Sequence, residues 1–457
     1  MKLIRCTKVV LILLVLLALG AGAVVYLNQK GEEALPEFVL TSAQPATLPI
    51  PPIPPIPPTP QEISRGAYLA TAGNCAACHT AQGGAAYAGG AGIDTPFGKV
   101  YAGNLTPDAQ TGLGTWSNAH FWRALHNGRS KDGHLLYPVF PFTNTTRVTR
   151  EDSDALFAYL QSLPAVVQPQ PANDLRFPFN TQAALAVWRA LYFTPGADKP
   201  EPSRSAEWQR GAYLVRGLGH CNACHASRNA MGATVDNSSG SAEFGGGLIP
   251  MQGWYAPSLN ASAEAGVADW SVQQVVDLLK NGVVSHDTVH ASVLGPMAEV
   301  VYRSTQHLTE TDLQAMAVFL KALPQSAPLE LSVIDGSRLS KGSSVDLAKG
   351  QKLYELHCAD CHGANGQGAR SAGQEAGPLV YPALAGNRAV TMASSTNLVR
   401  IVRSGGFPAA TAGNPRPYSM PPFDLSPEDL AVVVSYIRNA WGNNAAPITA
   451  AEVQGGR

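Results

Sequence analysis

Three segments of the chain share one order of polar and apolar positions. TREDSDALFAYLQSLP (residues 149–164), TETDLQAMAVFLKALP (309–324) and SPEDLAVVVSYIRNAW (426–441) each open on Thr or Ser, place acids in the next turn, and then repeat apolar residues at helical spacing. A hydroxyl at the cap satisfies an orphan N–H, and acids in the first turn oppose the helix dipole. The pattern therefore predicts three amphipathic helices. In the third, Ser426, Pro427 and Glu428 fall at the cap, at the first position suited to proline, and at a dipole-matching position. A second repeated stretch lies upstream of each. RGAYLATAGNCAACH (65–79), RGAYLVRGLGHCNACH (210–225) and KGQKLYELHCADCH (349–362) begin with a basic residue and Gly, then run as a short helical stretch into a pair of cysteines. A period of about 140 residues is too long for a solenoid unit and signals three copies of one small domain.

The hydrophobic pattern differs at the N-terminus. Lys2, Arg5 and Lys8 precede an unbroken apolar run over residues 9–27. Nineteen residues at about 1.5 Å each nearly cross a hydrocarbon core of roughly 30 Å, and the positive flank places the rest of the chain outside. Ala21-Gly22-Ala23 also has the form of a signal cleavage site, although the run exceeds a usual signal core. Residues 1–30 are thus a membrane anchor or a signal peptide. PATLPIPPIPPIPPTP (45–60) favours an extended polyproline spacer, assigned with its flank to 31–60. The expected order is then domain one at 61–165, a linker at 166–204 with a helical piece at 182–193 packed on a neighbouring domain, and domain two at 205–325. An extended linker at 326–343, domain three at 344–442 and a tail at 443–457 complete it. The expected fold is mostly α: three tandem copies of one small helical domain behind a transmembrane helix and a Pro-rich spacer.

Composition narrows the chemistry. With 44 Gly and 35 Pro the loops are long and irregular, and a net charge of −1 gives no electrostatic footprint for nucleic acid. Six of the seven cysteines lie in the three CxxCH units and the seventh, Cys6, in the N-terminal segment, so no disulfide framework is left. Thiols at i and i+3 sit on one side of a helical turn, where they can add to the two vinyl groups of one porphyrin edge, while the following His supplies an iron ligand. A zinc site needs a second cysteine pair per domain, which is lacking, and a thioredoxin-like pair needs neither the His nor this context. The motifs therefore predict three covalent haems c, at Cys75, Cys78 and His79, at Cys221, Cys224 and His225, and at Cys358, Cys361 and His362.

A sixth ligand commonly comes from a Met before the last helix. Met420, in RPYSMPPFDLSPEDL, is the candidate in domain three, with Met392 as rival; Met297, in VLGPMAEVV, is the candidate in domain two, with Met251 as runner-up. Met231 lies too near the attachment turn, and Met316 falls on the apolar face of a closing helix. Domain one has no Met between residues 2 and 230 and carries Phe140 in the equivalent loop. His126, His134, the less favoured His120, an open site and a ligand from elsewhere all remain. Since a Met/His pair raises haem potential, the first haem is expected to differ from the others. Tyr68, Tyr213 and Tyr354 are read as packing against haem or the closing helix, and His220 and His357 as structural. The Gly-rich stretches lack the strand–helix context of a nucleotide loop.

These residues resemble the three-haem cytochrome c subunit of bacterial membrane-bound alcohol and aldehyde dehydrogenases. The resemblance spans residues 60–442 and rests on RGAYL before two motifs, LRFPFN (175–180), GHCNACHASRNAMGA (219–233), YPALAGN (381–387), MPPFDLSPEDL and YIRNAWG (436–442). It implies that the three copies are tandem class I cytochrome c-like domains, in a non-catalytic electron-transfer subunit in the inner membrane, with its bulk in the periplasm, taking electrons from a dehydrogenase catalytic subunit and passing them to ubiquinone. Partner types in such a family are a quinoprotein alcohol or polyol dehydrogenase and a molybdopterin aldehyde dehydrogenase with an iron–sulfur subunit. The N-terminal segment with its proline spacer, together with Phe140, favours the aldehyde type. A peroxidase-like enzyme using an open first haem and a haem subunit of a terminal oxidase are the rival functions.

Overall fold

Each repeat is built on one crossing of two helices, made close by a glycine. A computed structural model describes residues 57–196, 200–234, 243–286, 289–325, 346–370 and 379–455, with residues 20 and 22 described singly. Apart from those two, the N-terminal segment at 1–30, most of the spacer at 31–60 and the linker at 326–343 lie outside the described residues. No helix among the described residues is long and apolar enough to cross a membrane. The chain is mostly helical, with short antiparallel ladders such as Gly247–Ile249 against Trp254–Ala256 and Ala369–Arg370 against Leu379–Tyr381. Contacts divide it into two units: Met1–Ala67, His79–Ile93 and Phe97–Ala197, and then Tyr68–Cys78, Asp94–Pro96 and Asp198–Arg457.

The opening helices are Pro60–Ala72, Ala206–Ala212 (continued by a π-helical turn, Tyr213–Leu218) and Leu347–His357; the closing helices are Arg150–Gln161, Glu310–Lys321 and Pro427–Asn439. Thr149, Thr309 and Ser426 cap the closing helices, each side-chain oxygen accepting the N–H of the Asp three residues on. At the crossing a Cβ on Gly66 would lie 1.9 Å from the Ala155 carbonyl oxygen, and one on Gly211 1.9 Å from that of Ala315. A Cβ on Gly350 would lie 2.7 Å from Val432 O. Only a bare Cα admits the facing backbone at these distances.

The residue before each glycine then ties the crossing. Arg65 Nε donates to Asp152 Oδ1 at 2.7 Å; Arg210 makes two hydrogen bonds of 2.8 Å to the two oxygens of Asp312; Lys349 Nζ lies 2.5 Å from Asp429 Oδ1. The Asp whose N–H is capped is thus also the anchor for the opening helix. In the second unit Asp312 takes a further donor, the hydroxyl of Tyr68, at 2.6 Å.

Around these crossings the apolar faces meet. In the second domain Trp208, Leu214, Val215, Phe244, Leu313 and Phe319 form one buried cluster, and Ala72 is part of it; Met316 lies in it too, as its helical position implied. In the third, Tyr354, Leu430, Val433, Val434 and Ile437 do the same. The helix expected at 182–193 is Gln182–Tyr192, capped by Thr181, and it counts with the first unit, where Trp188 packs edge-on against Phe142 at 6.2 Å. Within the second unit, the two later repeats are joined by Arg388, which donates to Gly266 O and Asp269, and by Asn397, which pairs with both backbone groups of Tyr255.

Candidate haem-binding sites

A tight turn places each cysteine pair. Cys75–Cys78 is a single helical turn entered through Asn74 in the left-handed region, Cys221–Ala223 is a 3-10 turn entered through His220 in that region, and Ala359–His362 is a helical turn with Cys358 at its cap. All six thiols are free. Burial, then the neighbouring cysteine, pushes the Cys75 and Cys221 thiols up to about 12 and Cys358 up to about 11. Burial raises Cys78 and Cys224 as well. A redox-active CxxC needs the opposite, a lowered thiol pKa.

The histidine after each pair is oriented identically. His79 Nδ1 lies 2.7 Å from Gly103 O, His225 Nδ1 2.7 Å from Pro257 O, and His362 Nδ1 2.9 Å from Pro382 O. A carbonyl only accepts, so Nδ1 carries the proton and Nε2 keeps its lone pair. Burial lowers the pKa of all three rings, against a smaller raising effect of the carbonyl bond, which favours the neutral form. A neutral imidazole with Nδ1 engaged by a carbonyl is the form that ligates a metal through Nε2. Two thiols on one side of a turn and such a ring beside them fit a covalently held iron porphyrin, three times over.

The candidate methionines behave differently from their rivals. Met297, in the first turn of Pro296–Arg303, packs on the same core cluster as Cys221, and Met420 on the same cluster as Cys358. The Met420 backbone is pinned to Gly406 by reciprocal hydrogen bonds of 2.8 and 3.0 Å. Met251 and Met231 are exposed, while Met392 is buried, with its carbonyl held by Arg438.

In the first domain the histidines have separate occupations. His120 completes the capping box of Asn118–Asn127 with Ser117, and His134 pairs with Asp132 at 2.5 Å in an exposed turn. His126 stacks on Trp122 at 4.4 Å, and its Nδ1 is buried without a hydrogen-bond partner. Phe140 is half-buried in the turn before Phe142–Thr145. Of the residues read as structural, His220 Nε2 faces Gly73 O at 3.3 Å, His357 packs on Phe423, and the Tyr354 hydroxyl donates to Gly363 O at 2.6 Å while its ring meets Tyr436 of the closing helix.

The carbonyls that orient the three rings are functional groups the motif alone does not reveal. Their sequence signal is the recurrence of a Tyr just ahead of them, in Tyr101-Ala102-Gly103, Tyr255-Ala256-Pro257 and Tyr381-Pro382.

A family model described as Cytochrome c matches residues 63–164 and 347–441. The chain is 36% identical over 401 residues to the cytochrome c subunit of alcohol dehydrogenase (quinone) of Gluconacetobacter polyoxogenes, covering 86% of this chain and 83% of that one. It is 34% identical over 401 residues to the gluconate 2-dehydrogenase cytochrome c subunit of Pantoea cypripedii, covering 86% and 88%. It is 39% identical over 381 residues to one of the subunits of nicotinate dehydrogenase of Pseudomonas putida, covering 83% of this chain and 30% of that longer one.

Proposed function

The chain belongs to the cytochrome c subunits of quinone-dependent dehydrogenase complexes, and on that premise we propose that it carries three haems c and relays electrons from a dehydrogenase catalytic subunit to ubiquinone at the inner membrane. It is an electron-transfer subunit with haem c-binding cytochrome c domains. The observation that carries the count of three is the repeated Nδ1-to-carbonyl bond beside each thiol pair.

In this reading Cys75 and Cys78, Cys221 and Cys224, and Cys358 and Cys361 hold the thioether bonds. His79, His225 and His362 would ligate iron through Nε2, and Met297 and Met420 would supply a further ligand in the second and third sites. The bound iron supplies one-electron chemistry. The chain's own residues fix the imidazole tautomer and hold each ring against rotation through its carbonyl, and in the second and third sites they set Cys221 and Cys358 against an apolar cluster.

The test is the haem content of the purified holoprotein by alkaline pyridine spectroscopy. Three haems per chain are expected, and two after Cys358 and Cys361 are both replaced by Ala; fewer than three in the parent protein would overturn the count. The catalytic partner in this reading is a molybdopterin aldehyde dehydrogenase with an iron–sulfur subunit, supported by the N-terminal apolar segment with its spacer and by Phe140. Co-purification in mild detergent is expected to bring down a molybdenum-containing subunit. Recovery of a quinoprotein instead would establish the second reading, an alcohol or polyol dehydrogenase, which the similarity to the quinone-dependent alcohol dehydrogenase subunit favours.

A further inference from the structure

One peptide group in the second domain is gripped from both ends. The carbonyl of Pro257 accepts from His225 Nδ1 at 2.7 Å, and the N–H of Ser258, across the same peptide bond, donates to Glu264 Oε2 at 2.7 Å. Glu264 is 4% exposed, and its other partner is the Tyr255 hydroxyl, at 3.0 Å from Oε2. Neither partner is a cation. Burial, then the Glu264 charge, holds the Tyr255 phenol above its ordinary range, so that it remains a donor. A buried carboxylate held only by neutral donors is costly unless something beyond the hydrogen bonds offsets it.

The offset is within reach through the amide. Negative charge at a peptide N–H draws electron density onto the carbonyl oxygen, which then grips the imidazole proton more strongly and makes the ring a better donor through Nε2. We propose that Glu264 is a positioning residue for the second haem: acting through the Pro257–Ser258 amide, it strengthens His225 as a ligand and lowers this haem's potential. The inference rests on the reading of His225 as an iron ligand. It also distinguishes the second site from its repeats. In the first domain the aligned stretch YAGNLTPDAQ places Gln110 where YAPSLNASAE has Glu264, and Gln110 is neutral and exposed. In the third, residues 383–388 after Pro382 read ALAGNR and contain no acid.

The experiment is a spectroscopic redox titration of the purified three-haem protein. In Glu264→Gln one of the three waves is expected to move up by at least about tenfold in the reduction equilibrium, which is about 59 mV for one electron. The other two are expected to stay. Glu264→Asp, which keeps the charge, is expected to return that wave towards its original position. Tyr255→Phe removes a neutral donor and leaves more of the charge on the Ser258 N–H, so it is expected to move the same wave down. Three unmoved waves in a fully loaded Glu264→Gln protein would overturn the proposal. Should that variant lose haem through misfolding, an unmoved or raised wave in Tyr255→Phe would overturn it equally. Peptide mapping of the parent protein that finds no haem on residues 221–225 overturns the ligand reading itself, a result separate from any of these shifts.

Discussion

Replacing Gly211 by Ala adds one methyl group at the tightest point of the second domain. The new Cβ would stand 1.9 Å from Ala315 O, 2.6 Å from Ala315 C and 2.8 Å from Phe319 Cβ. Ordinary contact begins at 3.4 Å, so the two helices must part by about 1.5 Å, and both near atoms are backbone, which cannot swing aside. Overpacking of this kind costs about 1–3 kcal/mol, and the parting also strains the Arg210–Asp312 hydrogen bonds. Against this, Ala is a better helix former than Gly by about 1 kcal/mol. A net loss of about 1–2 kcal/mol is expected, the upper part of what these terms leave because the ion pair is strained too, read as a lower midpoint in denaturant at unchanged slope. The repeats supply the control. Gly66 meets Ala155 O at the same 1.9 Å and should behave alike, whereas Gly350 meets nothing nearer than 2.7 Å and needs about half the parting. The expected order of damage is therefore Gly66→Ala and Gly211→Ala above Gly350→Ala. Equal midpoints for Gly211→Ala and the parent protein, or Gly350→Ala as the worst of the three, would refute the reasoning.

Burial pushes the Asp312 carboxyl up, but Arg210 and Tyr68 outweigh it and hold it below its ordinary range. A folded pKa below the unfolded one stabilises the protein above the ordinary carboxylate range of about 4, and that stability is lost as pH falls through the folded value. Unfolding midpoints taken from neutral pH down to about pH 3 should thus fall more steeply for the parent than for Asp312→Asn, which itself loses about 1–3 kcal/mol at neutral pH, allowing for the partly exposed Arg210; parallel curves would exclude this role. Replacement of Met420 or Met297 by Ala should lower one haem potential each, since a thioether ligand raises it, while Met392→Leu should leave all three where they were. Titration of the three variants side by side tests this, and a shift in the Met392 variant alone would reassign the third site.

Much of this was legible because it is local and repeated. The caps at Thr149, Thr309 and Ser426, the proline at the start of the last helix and the helix near residues 182–193 follow from near neighbours in sequence, and all are found. The grip on each His was not legible, because its carbonyl lies 24, 32 and 20 residues away in the three copies and the Tyr that recurs just ahead of it does not by itself point to the ring. The basic residue and Gly that open each repeat were visible as a pattern. Their purpose was not, since it depends on the angle at which two helices separated by about 80 to 100 residues cross. Glu264 escaped for a further reason: in sequence it is one acid in a polar loop, and only burial against Tyr255 and Ser258 gives it a role.

The extra donor on Asp312 bears on how the chain can be taken apart. Residues 68–78 supply the Tyr68 hydroxyl to Asp312, the Ala72 carbonyl to Ser304 and the Gly73 carbonyl to His220, all in the second domain. A fragment begun at residue 205 would leave three polar groups of that domain without these partners and strip a methyl from its apolar cluster. Dissection by restriction to single repeats would therefore yield a weakened middle piece, whereas a fragment begun ahead of residue 60 would keep its own clasp.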